Sequence, residues 1–107
     1  MAKTALLLTA AGLSARMGRF KPLIELAGTP LIDHAIHSFR TAGICDTVAV
    51  TGYRRDALEA HLKNAGVTLV HNARFADTEM IDSIRLGAEY LQGRCDRFFV
   101  MPADMPL

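Results

Sequence analysis

The stretch LTAAGLSARMGRFKPL, residues 8–23, decides how the rest of the chain is interpreted. An apolar run over residues 5–8 leads into the small residues Ala10, Ala11 and Gly12. Small residues at the end of a strand let backbone N–H groups approach a ligand closely, because no large side chain is in the way. Successive N–H groups in such a turn form a concavity that binds anions. The stretch therefore predicts a phosphate-binding turn after a first strand.

Two cations in the same stretch favour this interpretation. Arg16 offers a planar fork of donors and Lys21 a mobile point charge, the two groups that proteins most often place on phosphate oxygens. The spacing of Gly12 and Gly18 fits neither G-x-G-x-x-G nor G-x-x-x-x-G-K-[ST]. On composition alone, a strand followed by a solvated basic turn is an equally good interpretation.

The remaining chain alternates between two periodicities. Short apolar runs predict strands over residues 4–9, 47–51, 67–70 and 97–101. Helical spacing predicts a helix opened by Thr29-Pro30 and ended by Gly43, a second over residues 56–64, and a third that starts at Asp77-Thr78. The expected buried residues are Leu31, Ile32, Ala35, Ile36 and Phe39 in the first helix, Leu58 and Leu62 in the second, and Met80, Ile81, Ile84, Ala88 and Leu91 in the third.

Strands that alternate with helices predict an α/β fold, a Rossmann-like parallel sheet with helices on both faces. Ligands of such sheets bind outside the carboxyl ends of the strands. Asp104 follows the fourth predicted strand and so belongs to the same edge as the first loop. A carboxylate there suits Mg²⁺, which prefers one or two carboxylates together with phosphate oxygens. The alternative is an ordinary turn aspartate between two prolines.

Composition narrows the class of protein. The 107 residues suffice for one small domain, and a net charge of +1 gives no sign of a nucleic-acid or membrane partner. Cys45 and Cys95 stand alone, which argues against a zinc site, suits a reducing cytoplasm and predicts packed thiols. The short apolar run near the N-terminus is not interpreted as a signal peptide. His34 and His37 could share a helix face, but no neighbouring acid completes a metal site, so surface or packing roles are expected.

The pattern A-A-G-x-S-x-R-M-G followed by K-P-L resembles the signature loop of the MobA-like nucleotidyltransferases, in particular the molybdenum cofactor cytidylyltransferases. The ending Pro-Ala-Asp-Met-Pro-Leu, residues 102–107, fits the same pattern. The resemblance implies a sheet of the nucleotide-diphospho-sugar transferase type. It also implies that residues 1–107 are the N-terminal half of a single domain, so that a fragment truncated after the fourth strand is expected.

The resemblance also assigns roles to individual residues. The nucleotide-binding residues would be Ala10, Ala11, Gly12, Ser14, Arg16, Lys21 and Ser83. Arg16 and Lys21 would also act in catalysis, and Asp104 would be the magnesium ligand. For Ser83 the alternative is a serine on a solvated helix face. Asn72, after the third predicted strand, is a weaker candidate for the same cleft.

The activity implied is transfer of a nucleoside monophosphate to a phosphorylated small-molecule acceptor, such as the molybdenum cofactor, with Mg²⁺ as cofactor. Members that transfer guanylyl groups usually carry Ala-Gly-Gly in the loop, whereas those that transfer cytidylyl groups carry Ala-Ala-Gly. The methyl group of Ala11 would crowd a purine more than a pyrimidine, which favours CTP. A related transferase for a methylerythritol, sugar or alditol phosphate, and a non-catalytic nucleotide-binding domain, stay open as alternatives.

Overall fold

The computed structural model describes residues 3–10, 21–23 and 25–103. A single 3-10 turn, Lys21–Leu23, precedes the first helix. The strands are β1 (Thr4–Ala10), β2 (Glu25–Leu26), β3 (Thr29–Pro30), β4 (Asp46–Thr51), β5 (Val67–His71) and β6 (Arg97–Pro102). The helices are α1 (Leu31–Thr41), α2 (Arg55–Leu62) and α3 (Met80–Leu91).

The larger sheet of the described residues has the strand order β5-β4-β1-β6, and all of its neighbouring strands are parallel. This arrangement confirms the predicted α/β class. The small antiparallel hairpin of β2 and β3 was not predicted, because strands of two residues are too short to show an alternating pattern.

The central strand β1 is buried on both faces, which explains its continuous apolar sequence. Leu6 and Leu8 point to one face and pack with α1 and α2, where Ile32 and Leu58 belong to the same core cluster. Ala5 and Leu7 point to the opposite face and pack in a second cluster that includes Leu91 of α3. Helices therefore cover both faces of the sheet, as predicted.

The structure confirms the predicted buried face of helix α1 but not its predicted N-cap. Leu31, Ile32, Ala35 and Ile36 are buried, and Phe39 is partly buried against them. Pro30 occupies the N-cap position, and its side chain has no atom that could accept a hydrogen bond, whereas Thr29 lies one position before the N-cap. Gly43 follows the helix with φ of +92°, in the left-handed region that glycine adopts without strain.

Helix α3 departs from the sequence expectation at its N-terminal end. It begins at Met80 rather than at residues 77–78, because Glu79 forms a capping box in which the Asp82 carboxylate accepts the Glu79 N–H at 2.9 Å. Met80 and Ile81 are 52% and 58% exposed, so the prediction that they are buried was wrong. They lie in the first turn, ahead of the buried residues of the helix, which are Ser83, Gly87 and Leu91.

Gly87 makes the close approach of α3 to β1 possible. A methyl group at position 87 would lie 2.1 Å from Cδ1 of the fully buried Leu7. We expect Gly87→Ala to lower the free energy of unfolding by about 1–3 kcal/mol through overpacking, although alanine is about 1 kcal/mol better than glycine in a helix interior. Urea unfolding checks this. In a Leu7→Ala background the same change should stabilise the protein, and a loss of stability there would contradict the steric explanation.

The prediction that the two isolated cysteines are packed thiols is confirmed for only one of them. Cys45 is exposed, so the prediction of a packed thiol was wrong for it, whereas Cys95 is half-buried against the α3 cluster. His34 Nε2 donates to the Leu26 carbonyl oxygen at 2.7 Å, and His61 pairs with Asp33 at 2.9 Å. Within the described ranges no group of three or more His, Cys, Asp or Glu could hold a metal, and no helix is long and apolar enough to cross a membrane.

Candidate functional site

The strand order creates a switch point between β1 and β6. From β1 the chain passes through α1 to β4 and through α2 to β5, and both strands lie on one side of β1 in the sheet. It then crosses the opposite face of the sheet through α3 and forms β6 on the other side of β1. The order in which the described strands are added therefore reverses between β1 and β6. In open parallel sheets the crevice at this point is where ligands bind.

The two segments that carry most of the predicted site residues are attached at this crevice. Thr9 is paired with Pro102, and the Ala103 N–H donates to the Thr9 carbonyl oxygen at 3.0 Å. Ala10 and Ala103 are both buried beside this junction. Residues 11–20 follow Ala10, and residues 104–107 follow Ala103. The predicted site residues Ala11, Gly12, Ser14, Arg16 and Asp104 fall in these segments, which lie outside the described residues.

The far end of the first loop is anchored by packing. Lys21 begins the 3-10 turn, and its side chain lies outside the description. Pro22 is buried, Leu23 packs against the core that α1 and α2 share, and the turn contacts α1. The β2–β3 hairpin that follows is tied to α1 by the bond from His34 to Leu26. The backbone on both sides of residues 11–20 is therefore fixed to the core.

Ser83 and Asn72 meet at the same edge, under the start of α3. Each is only 4% exposed, and the Asn72 amide donates to Ser83 Oγ at 3.3 Å. The burial of Ser83 excludes the alternative of a serine on a solvated helix face. Asn72 does not offer a free side chain to the cleft, because its amide also bonds Thr78 Oγ1 and the Arg74 N–H.

Thr9 is a polar residue that the sequence pattern does not single out. It lies in the apolar run of β1, where a threonine is an ordinary strand residue. In the structure it is 8% exposed, and its hydroxyl oxygen has no hydrogen-bond partner in the described part of the chain. A buried hydroxyl without a partner is unusual enough to need an explanation.

A second polar group lies at the carboxyl ends of β4 and β5. The Thr51 hydroxyl donates to Glu59 at 2.8 Å, and Arg55 Nε donates to the same carboxylate at 2.9 Å. His71 and Arg54 line a shallow cavity of about 530 Å³ beside this group. Because the polar atoms of Thr51 and Glu59 bond each other, this group contributes mainly to holding α2 on the sheet.

These features define a doubly wound α/β domain, and the candidate ligand site is at the carboxyl edge of its central strand. The family model described as "MobA-like NTP transferase domain" matches residues 6–107, and the chain belongs to this family. The resemblance identified from the first loop is thereby confirmed.

Three curated relatives show the range of this family. A 2-aminoethylphosphonate cytidylyltransferase of Lancefieldella rimae is 32% identical over 96% of this chain and 44% of its own length. A mannose-1-phosphate guanyltransferase of Gibberella zeae is 32% identical over 79% and 24%. The molybdenum cofactor cytidylyltransferase of Escherichia coli is 29% identical over 94% and 50%. The chain thus spans half the length of these relatives or less.

Among solved structures, a CTP:phosphocholine cytidylyltransferase of Streptococcus pneumoniae superposes with a TM-score of 0.80 at 27% identity. The match covers 95% of this chain and 45% of that one. The arrangement of β1, β6 and the helices is therefore that of a nucleotidyltransferase of the same Rossmann-like type.

Proposed function

We propose that the full-length protein transfers CMP from CTP to a phosphorylated small-molecule acceptor and releases pyrophosphate. The junction between Ala103 and Thr9 carries this proposal, because it attaches the loop with Arg16 and Lys21 and the segment with Asp104 to neighbouring points of one crevice. Membership of a nucleotidyltransferase family supports it. The molybdenum cofactor, as in the relative from Escherichia coli, is one acceptor of the required kind. The free cysteines fit a reducing cytoplasm.

In the proposed reaction, an oxygen of the acceptor phosphate attacks the α-phosphorus of CTP. The bond from the α-phosphorus to the bridging oxygen breaks, and its electron pair leaves with pyrophosphate. The attacking oxygen is already anionic, so no general base is needed. The backbone of residues 10–12 and Ser14 orients the nucleotide. Arg16 and Lys21 hold the triphosphate and stabilise the charge that develops on pyrophosphate.

Asp104 fits Mg²⁺ by its donor chemistry. The described residues contain no cage of three or more ligating side chains. A single carboxylate such as that of Asp104 suits Mg²⁺ when phosphate oxygens supply further ligands. When bound, the ion would neutralise negative charge on the phosphates that meet there.

CTP is proposed over GTP on the basis of the loop and of the relatives. Ala11 places a methyl group where guanylyl-transferring members usually have glycine. Two of the relatives above are cytidylyltransferases, but one is a guanyltransferase, so the choice of base needs its own test. The name of the guanyltransferase gives mannose 1-phosphate, a sugar phosphate, as its acceptor. This similarity supports nucleotidyl transfer to a sugar phosphate as the second candidate function.

A melting screen of the full-length protein with CTP, GTP, ATP and UTP, each with Mg²⁺, tests the nucleotide. We expect CTP to raise Tm most, because CTP is the proposed ligand and a tighter ligand stabilises the folded protein more at the same concentration. A ligand at a hundred times its dissociation constant adds about 2.7 kcal/mol of stability. Ala11→Gly serves as the matched variant and should increase the shift with GTP. A larger shift with GTP than with CTP in the unaltered protein would contradict the proposed base. CTP binding without pyrophosphate release across phosphorylated acceptors would favour a non-catalytic domain.

A further inference from the structure

The amide of Asn72 has an orientation that the backbone around it fixes. The Arg74 N–H can only donate, and it lies 3.0 Å from Oδ1 of Asn72. The opposite amide atom is therefore Nδ2, and its two hydrogens face Thr78 Oγ1 at 2.9 Å and Ser83 Oγ at 3.3 Å. Thr78 passes its own proton on to the Arg74 carbonyl oxygen at 2.9 Å. Both hydroxyl groups thus receive a hydrogen from Asn72.

Because Asn72 donates and Ser83 accepts in this hydrogen bond, the hydroxyl proton of Ser83 stays free to donate. A serine hydroxyl has one hydrogen to donate and two lone pairs to accept with. Asn72 uses one lone pair of Ser83, and the described residues contain no acceptor for the Ser83 proton. Ser83 is therefore set up as a donor, at the start of a helix at the ligand-binding edge of the sheet.

Thr9 lies on β1, the strand against which α3 packs. Helix α3 joins the parallel strands β5 and β6, so it runs antiparallel to β1, and Gly87 lies against Leu7. Thr9 is two residues further toward the carboxyl edge on the same face of β1, and Ser83 is one helical turn further in the same direction. The two hydroxyl groups therefore stand at facing positions. The Thr9 hydroxyl has no partner among the described residues, so it is available to a polar ligand together with Ser83.

We propose that Asn72 is a positioning residue of the nucleotide site, which holds Ser83 so that the serine donates its proton to the bound nucleotide. The proposal rests on the proposed function and deepens it. It fixes the chemistry of the nucleotide atom that meets Ser83: that atom is a hydrogen-bond acceptor, such as a carbonyl oxygen or ring nitrogen of the base, and not an amino group.

The test is CTP binding to the full-length protein with Mg²⁺, measured by isothermal titration calorimetry for a double-mutant cycle. Asn72→Asp keeps the acceptor for the Arg74 N–H, but its carboxylate takes the Ser83 proton. We expect Asn72→Asp and Ser83→Ala each to weaken CTP binding about tenfold, the loss of one well-placed hydrogen bond. The double variant should bind no more than about twofold worse than Ser83→Ala, because the two residues act through one bond.

Thr78→Val is the matched control. It removes the other hydroxyl that Asn72 holds but leaves the bond to Ser83, so CTP affinity should stay within about twofold of the unaltered protein. If Asn72 only holds the chain between β5 and α3, Thr78→Val and Asn72→Asp will weaken binding equally, and the losses of Asn72→Asp and Ser83→Ala will add. Either result overturns the proposal. Should Asn72→Asp fail to fold, undiminished CTP binding by Ser83→Ala overturns it as well.

The outcome for the unaltered protein separates the two proposals. If no nucleoside triphosphate binds, the proposed function fails and this inference fails with it. If CTP binds normally to the unaltered protein and equally well to Ser83→Ala and Asn72→Asp, only this inference is overturned.

Discussion

Lys21→Ala in the full-length protein should lower kcat about 10²–10³-fold, the usual cost of removing one group that stabilises developing charge. The expectation rests on where the backbone of Lys21 is held. Lys21 starts a 3-10 turn whose next two residues, Pro22 and Leu23, are anchored in or against the core, so the backbone that carries this residue is held by packing. Pyrophosphate release at saturating CTP and acceptor is the measurement.

Lys63→Ala is the matched control for this prediction. Lys63 is exposed at the end of α2, which returns the chain to the opposite edge of the sheet. Its removal should leave kcat within about twofold, as expected for a surface substitution away from the site. Near-normal turnover of the Lys21→Ala protein would remove Lys21 from the proposed catalytic group. Lys21→Arg keeps the charge but changes its geometry, and it should recover only part of the lost rate.

Asp104→Asn should lower kcat by a comparable factor, about 10²–10³-fold, because the amide keeps the shape of the side chain but loses the charge that Mg²⁺ prefers. Omission of Mg²⁺ from the unaltered protein should have a similar effect. The position follows from chain connectivity, since Asp104 comes directly after Ala103, whose N–H is bonded to the end of β1. Initial rates over a range of Mg²⁺ concentrations provide the measurement.

Asp46→Asn controls for the loss of a carboxylate. Asp46 is the exposed first residue of β4, at the amino edge of the sheet, and its replacement should leave the dependence of the rate on Mg²⁺ unchanged. An Asp104→Asn protein with the full rate at ordinary Mg²⁺ concentrations would show that Asp104 does not hold the ion.

The elements of the sheet were predictable because each has a local signal. The four strands of the sheet are apolar runs of the expected length, and the amphipathic spacing of α1 and α2 predicts their buried faces correctly. The errors lie at the helix N-termini. Glu79 and not the Asp77-Thr78 pair caps α3, since the Asp82 carboxylate returns to its backbone. Several acidic and hydroxyl residues stand in that stretch, and their sequence does not say which one forms the capping box.

The polar contacts beneath the site were not predictable to the same degree. Asn72 and Ser83 are eleven positions apart, and each is polar in an otherwise ordinary context. Only the packing of α3 on the sheet brings them together and closes them from solvent. The absence of a partner for the Thr9 hydroxyl within the described ranges was not predictable either, because the sequence around a threonine in a buried strand does not indicate whether its hydroxyl forms a hydrogen bond.

By itself, the sequence determined the alternation of strands and helices, the loop of small and basic residues after β1 and the family to which they belong. Those features depend on local periodicity and on residues that are neighbours in the chain. The tertiary structure decided the strand order β5-β4-β1-β6, the switch point between β1 and β6, the contact between Asn72 and Ser83, and the burial of the Thr9 hydroxyl without a partner among the described residues. Hydrophobic periodicity says which face of an element is buried, but the pairing of strands distant in sequence selects what each face is buried against.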